Sequence, residues 1–300
     1  MILLATLLAC SNPTDSPVAP ERVETGPLEV RTTSFPADWL VTRLAGDSVN
    51  QVNIHPRGED PPSWTPPGEV VASLAEADLI VANGAGFEAW MATAALPVDA
   101  VVYSAKRLDL IELAAVTHSH GAGGEHSHAG RDPHTWSDPT AYFDQARAVH
   151  AALVEARPSD TETFDANLAT LEQDLKTLSG ELASATAHLQ GRPLAASHPA
   201  FNYLARRFQL TVTSFDFDPE APPSVAQLEA FATWSEGQDP PVLLWESHPT
   251  DAVRSAFAPQ VVHQYVDPLE SPPTTGDYDY IRQAQANAAR LRGLLSATPQ

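Results

Sequence analysis

Eleven histidines stand in this 300-residue chain, and they are not evenly spread. Four of them, His118, His120, His126 and His128, fall within HSHGAGGEHSH, residues 118–128, beside Glu125. Neutral imidazole is a borderline ligand suited to Zn²⁺, Cu²⁺ and Ni²⁺. Gly121, Gly123 and Gly124 deprive the segment of helix or strand preference, so it reads as a mobile loop with two His-x-His pairs. Ordering such a loop costs conformational entropy, which makes weak, auxiliary metal binding the expectation. His134 follows directly, in GRDPHTWSDP, and His198 stands in ASHPAF. Single histidines are more often hydrogen-bonded structural groups; His150, His188 and His263 are read so, and His55 and His248 as surface residues.

The elements that must position these side chains alternate. The apolar β-type runs LEVRTT (28–33), VNQVNI (49–54), DLIVAN (78–83) and AVVYSA (100–105) are separated by helical stretches near 37–46, 68–76 and 86–92. A second series reads PLAAS (193–197), TVTSFDF (211–217), PVLLWE (241–246) and VVHQYV (261–266), with helices near 200–208, 224–236, 250–257 and 278–296. Strands alternating with helices indicate parallel α/β sheets. The expectation is an α/β fold of two lobes, residues 28–138 and 190–300, each a four-stranded, mostly parallel sheet flanked by helices. Between them, residues 139–189 carry Phe164, Leu168, Leu171, Leu175 and Leu178 at three- and four-residue spacing, the pattern of a long, stiff amphipathic linking helix. Pro158 should break or kink it.

Asp132-Pro133-His134-Thr135-Trp136 with Asp138-Pro139, downstream of a His-rich segment, resembles the metal-binding receptors of bacterial zinc and manganese ABC importers, the cluster A-I solute-binding proteins. AEADLIVANGAGFEAWM (75–91), ASHPAFNYLARRFQL (196–210) and VDPLES (266–271), followed by a closing helix with Asn287, extend the likeness in order over residues 28–295. The resemblance implies metal ligation by His134, His198 and Asp267, with Trp136, Trp90 and Trp64 as packing residues. Each candidate ligand follows an expected strand, and open α/β sheets bind ligands beyond the carboxyl ends of their strands. One departure matters: the family's first histidine lies in a Gly-x-Asp-Pro-His turn, where this chain reads Gly58-Glu59-Asp60-Pro61-Pro62-Ser63-Trp64. An acid is expected to fill that place, Glu59 first and Glu246 of the Trp245-Glu246 pair as the alternative, with Asp60 capping the turn. Zn²⁺ is the expected cargo and Mn²⁺ the alternative, since added oxygen donors favour the harder ion. The resemblance also implies an ABC permease and its ATPase as partners of a monomeric receptor.

The charge balance of −21 argues against nucleic acid, whose phosphates it would repel, and favours cations. Met1 to Ala9 is apolar apart from Thr6 and ends at Cys10, the single cysteine, which a polar, Pro-rich stretch follows. Leu7-Leu8-Ala9-Cys10 resembles a bacterial lipoprotein signal, so residues 1–27 are read as signal and tether, with an extracytoplasmic protein lipid-anchored through Cys10. A zinc hydrolase needs an open coordination position beside a positioned base. The chain contains no His-Glu-x-x-His, Gly-x-Ser-x-Gly or Gly-x-x-x-x-Gly-Lys motif, so a hydrolase is the weaker alternative, as is a metal buffer or adhesin without a transporter.

Overall fold

The computed structural model describes residues 26–61, 63–113, 117–119, 125–127, 130–273 and 275–294. Cys10 and its tether, Pro62, His120 and His128 lie outside the described residues. In the first half, β1 (Leu28–Thr32), α1 (Phe35–Ala45), β2 (Val49–Asn53), α2 (Gly68–Ser73), β3 (Leu79–Ala82) and β4 (Val101–Tyr103) build a parallel sheet of order β2-β1-β3-β4. Val30, Ile80 and Val81 are fully buried, as strands covered on both faces require. Ser34 caps α1, accepting from the Ala37 amide, and Pro36 stands in the first helical turn, where its missing N–H costs nothing.

The His-rich stretch departs from the loop expected of it. Thr117–Ser119 (β6) and Glu125–Ser127 (β7) pair antiparallel with His118 opposite His126, and β5 (Glu112–Leu113) pairs with β8 (Gly130–Arg131) just outside them. The ladder pairing of the two strands supplies order that the glycine-rich composition alone does not suggest.

The linking segment is two helices, α3 (Pro139–Ala156) and α4 (Thr161–Thr186), separated at Pro158. Proline cannot donate to the ladder, and Arg157 before it leaves the helical region with φ −141°. Asp138 caps α3, its carboxylate accepting from the Thr140 amide at 2.8 Å with Pro139 behind it. Leu171, Leu175, Leu178 and Leu182 form the buried stripe of α4.

The second half repeats the scheme with β9 (Pro193–Ala196), α5 (Asn202–Phe208), β10 (Thr211–Ser214), α6 (Val225–Trp234), β11 (Val242–Trp245), α7 (Asp251–Arg254) and β12 (Val262–Tyr265), in the parallel order β10-β9-β11-β12. The closing helix α8 (Tyr280–Gly293) is capped by Asp279 and packs on α4. One hydrophobic core runs from Val30 and Val81 through the α4 leucines to Leu194 and Leu244, so α4 backs both sheets. The C-terminal ends of both sets of strands carry the polar, histidine-bearing loops.

Candidate metal centre

In both sheets the chain reverses its direction of winding between the first and third strands, the place where open α/β sheets form a crevice beyond their strand ends. At the first crevice the buried Glu88 ties the loops together. Its carboxylate accepts from Thr33 Oγ1 (2.7 Å) after β1 and from the Asn83 and Gly84 amides (2.8 and 2.9 Å) after β3. Gly84 has φ +78°, a conformation that favours glycine. Asn83 in turn donates to the Pro133 carbonyl at 3.0 Å and accepts from Gln145 at 2.7 Å, which anchors the segment carrying His134.

His134 is fully buried. Its Nδ1 lies 2.7 Å from Asp132 Oδ1, which also accepts from the His134 amide at 2.9 Å. Asp132 is fully buried as well and held from the second half: Asn202 donates to its Oδ2 and the Tyr203 hydroxyl to its carbonyl, both at 2.9 Å. A carboxylate on one imidazole nitrogen orients the ring and raises the basicity of the other. That other nitrogen, Nε2, is 3.0 Å from Glu270 Oε1. Burial pulls the His134 pKa down, but the charges and hydrogen bonds of Asp132 and Glu270 outweigh it and push it up to about 10.

At the second crevice His198 follows β9 and Glu246 follows β11. Both are buried, with His198 Nδ1 3.9 Å from Glu246 Oε2 and the Glu246 amide donating to Ser197 Oγ. The rings of His134 and His198 meet edge to face with centroids 5.4 Å apart and planes at 87°.

The carboxylate of Asp267, the expected direct ligand, is hydrogen-bonded within its own turn and to α8 in the structure. Its Oδ1 accepts from the Leu269 amide (2.8 Å) and its Oδ2 from Gln283 Nε2 (3.0 Å), while Asn287 grips its backbone from both sides. This is an Asx turn. It holds buried Leu269 at φ +63°, an uncommon conformation for a bulky residue, and delivers the next side chain, Glu270, to His134. The sequence marks Glu270 only by its place in VDPLES, three residues beyond Asp267. Glu59, expected in the place of the family's first histidine, is exposed in the structure.

His55 also differs from its sequence reading. It lies just past β2, 3% exposed, with its amide donating to Asn53 Oδ1 and its ring edge-on to Phe35 (5.7 Å) and Trp64 (5.0 Å). Phe35 and Trp64, both distant from it in sequence, bury it. His248 is exposed against Tyr265. His150 contacts Asp165, His188 the Leu294 carbonyl, and His263 accepts from Trp245 Nε1, so these three are structural as expected. Trp136 is buried and donates to the Pro268 carbonyl, and Trp64 packs on Trp90.

Can these donors hold an ion? Among the described residues no three His, Cys, Asp or Glu side chains already surround one position. With Zn–N at about 2.0–2.1 Å and the ring centroid about 1.2 Å behind the nitrogen, two imidazoles on a tetrahedral ion have centroids about 5.3 Å apart. The observed separation is 5.4 Å. Tetrahedral donors at those bond lengths lie about 3.3–3.4 Å from one another. Nε2 of His134 and Oε1 of Glu270, at 3.0 Å, need to part by only a few tenths of an ångström.

Two parallel sheets backed by one helical spine, with a buried imidazole pair that takes one ring from each half and a carboxylate beside each ring, define a two-lobed α/β protein with nitrogen and oxygen donors brought together between its halves. The chain belongs to the ZnuA family, zinc-uptake complex component A, periplasmic, whose model matches residues 30–293. It is 24% identical over 299 residues to the zinc-binding lipoprotein AdcA of Streptococcus pneumoniae R6, a match covering 95% of this chain and 58% of AdcA. It thus spans well under two thirds of that longer relative. With ZnuA of Bacillus subtilis, named a high-affinity zinc uptake system protein, identity is 24% over 241 residues, 78% of this chain and 75% of that one. With PsaA of Streptococcus pneumoniae, named a manganese ABC transporter substrate-binding lipoprotein, it is 28% over 215 residues, 69% and 66% of the two chains. The crystal structure of the Zn(II)-bound ZnuA-like domain of AdcA superposes with a TM-score of 0.73 at 22% identity, covering 89% of this chain and 98% of that one, a likeness of fold.

Proposed function

We propose that the chain captures one divalent metal ion, zinc ahead of manganese, between its two sheets and delivers it to an ABC permease worked by its ATPase. The observation that carries this reading is the buried pair His134 and His198, one from each half, at the spacing of two imidazoles on one ion, with Glu270 already against His134 Nε2. In this reading His134, His198 and Glu270 are ligands, Glu246 steadies or joins them from His198, and Asp267 acts through the turn that presents Glu270. Two nitrogens with one or two carboxylates suit Zn²⁺ and leave Mn²⁺ within reach. The relatives named for zinc binding, zinc uptake and manganese transport support the same cargo and a receptor in place of an enzyme.

The receptor works as a monomer outside the cytoplasm, anchored through a lipid on Cys10, and the 118–128 histidines gather ions more weakly. Zinc titration against a chromophoric chelator tests the site. His134→Ala, His198→Ala and Glu270→Gln should each weaken tight binding, and unchanged affinity in all three would overturn the assignment.

A further inference from the structure

The segment that carries His198 also reaches His134. Only Pro199, Ala200 and Phe201, all buried and wound in one tight turn, lie between His198 and Asn202, the first residue of α5. Pro199 fixes the first torsion of that turn, so His198 and α5 move as one piece. Two adjacent side chains of α5 cross to the first half and hold Asp132, the carboxylate against His134 Nδ1. Asn202 Nδ2 donates at 2.9 Å to Asp132 Oδ2, the oxygen that does not face His134. The fully buried Tyr203 donates its hydroxyl to the Asp132 carbonyl at 2.9 Å and accepts from the Ile111 amide at 3.0 Å.

Tyr203 is thereby built into the ladder. Ile111 stands opposite Asp132 in the continuation of the β5–β8 register, and the Asp132 amide donates to the Ile111 carbonyl at 2.8 Å. An antiparallel pair of this kind exchanges two bonds, and the Tyr203 hydroxyl stands in the path of the second. One turn further along α5, Arg206 donates to the Asp109 carbonyl at 3.0 Å and to its Oδ2 at 3.2 Å, with the guanidinium over the Tyr203 ring. A buried network whose members are all satisfied is rigid. The piece of chain that places the His198 ring therefore also fixes the group that orients the His134 ring.

The consequence is a fixed spacing. Two imidazoles on a tetrahedral ion have centroids about 5.3 Å apart, whereas adjacent imidazoles at right angles on a six-coordinate ion come to about 4.6–4.8 Å at bonds of about 2.0–2.2 Å. The rings stand at 5.4 Å. We propose that Asn202 and Tyr203 are positioning residues that hold the two imidazoles at tetrahedral spacing and so favour a four-coordinate ion, zinc, over a six-coordinate one, manganese. This rests on the reading of His134 and His198 as ligands and deepens it.

The test measures zinc and manganese affinity of wild type, Asn202→Ala and Tyr203→Phe by competition with a chromophoric chelator. It also records the visible spectrum of each protein loaded with Co²⁺, whose bands are intense in tetrahedral and weak in octahedral surroundings. Changing the partners behind a ligand costs about 10–100-fold in metal affinity. That loss is expected for zinc in both variants, with manganese affected less, so the zinc-to-manganese ratio should fall about tenfold and the cobalt bands should weaken. Zinc's general advantage at nitrogen donors is common to all three proteins and leaves the change in ratio to the spacing. A variant that merely folds less well loses both ions equally, so an unchanged ratio in both variants would overturn the proposal. The wild-type cobalt spectrum needs no variant to fold, and weak octahedral bands there would overturn it as well. If His134→Ala and His198→Ala lose zinc while both α5 variants keep the wild-type ratio, the ligand reading stands and this inference fails. If the wild type binds no zinc, both fall.

Discussion

Zinc binding at His134 should expel a proton, and the structure sets how strongly affinity follows pH. Asp132 at 2.7 Å and Glu270 at 3.0 Å hold the metal-free imidazole as a cation, with a pKa of about 10 despite full burial. A cation cannot coordinate, so between about pH 6.5 and 10 each pH unit should raise the zinc association constant about tenfold, or 1.4 kcal/mol. From pH 7 to 9 the gain is about 100-fold. The same proton acts on folding with the opposite sign. Because the folded pKa lies above the unfolded value near 6.5, its stabilisation of the metal-free protein is complete below pH 6.5 and is lost as pH rises toward 10. Titration calorimetry at pH 7.5 in two buffers of different ionisation enthalpy counts the protons, and about one per zinc is expected from His134. Glu270→Gln removes one of the two anions, so proton release should fall and the slope flatten. Zinc binding that releases no proton at pH 7.5, with affinity flat from pH 7 to 9, would refute the reasoning.

Three further outcomes are expected. His55 and His263 both have pKa values lowered to about 4 by burial, so the metal-free protein should lose stability as pH falls from 6.5 to 4; after allowance for solvent reaching the rings, about 1–2 kcal/mol each is expected, read from urea midpoints at pH 7 and 5. Deleting residues 118–128 should remove weak additional zinc equivalents in a titration and leave the tight site intact; loss of tight binding would make that segment a primary ligand source. Cys10→Ser should move the protein from the membrane to the soluble fraction, and a native N-terminus without acyl mass would contradict the anchor.

The strands of the two main sheets were legible because short runs rich in β-branched and apolar residues, LIVA and VLLW most clearly, alternate with helical stretches and are bounded by turn residues. The break at Pro158 was legible for the same local reason. His134 and His198 could be singled out because each stands in a motif, Asp-Pro-His-Thr-Trp and Ala-Ser-His-Pro-Ala-Phe, that carries the family resemblance. Glu270 could not, since its placement depends on a left-handed Leu269, a conformation that leucine does not advertise. His55 sits among Asn53, Pro56, Arg57 and Gly58, residues that read as an exposed turn. Only the tertiary approach of Phe35 and Trp64 buries it. Glu59 belongs to the same turn and does remain exposed.

The central claim is that one ion sits between the two halves on His134, His198 and Glu270. Crystals of the zinc-loaded protein, with anomalous diffraction recorded on both sides of the zinc absorption edge, test it most directly. The account predicts a single strong peak about 2.0–2.2 Å from a nitrogen of each histidine and from a Glu270 oxygen. A fully occupied zinc elsewhere, with Glu270 still against His134 Nε2 as it is now at 3.0 Å, would contradict it.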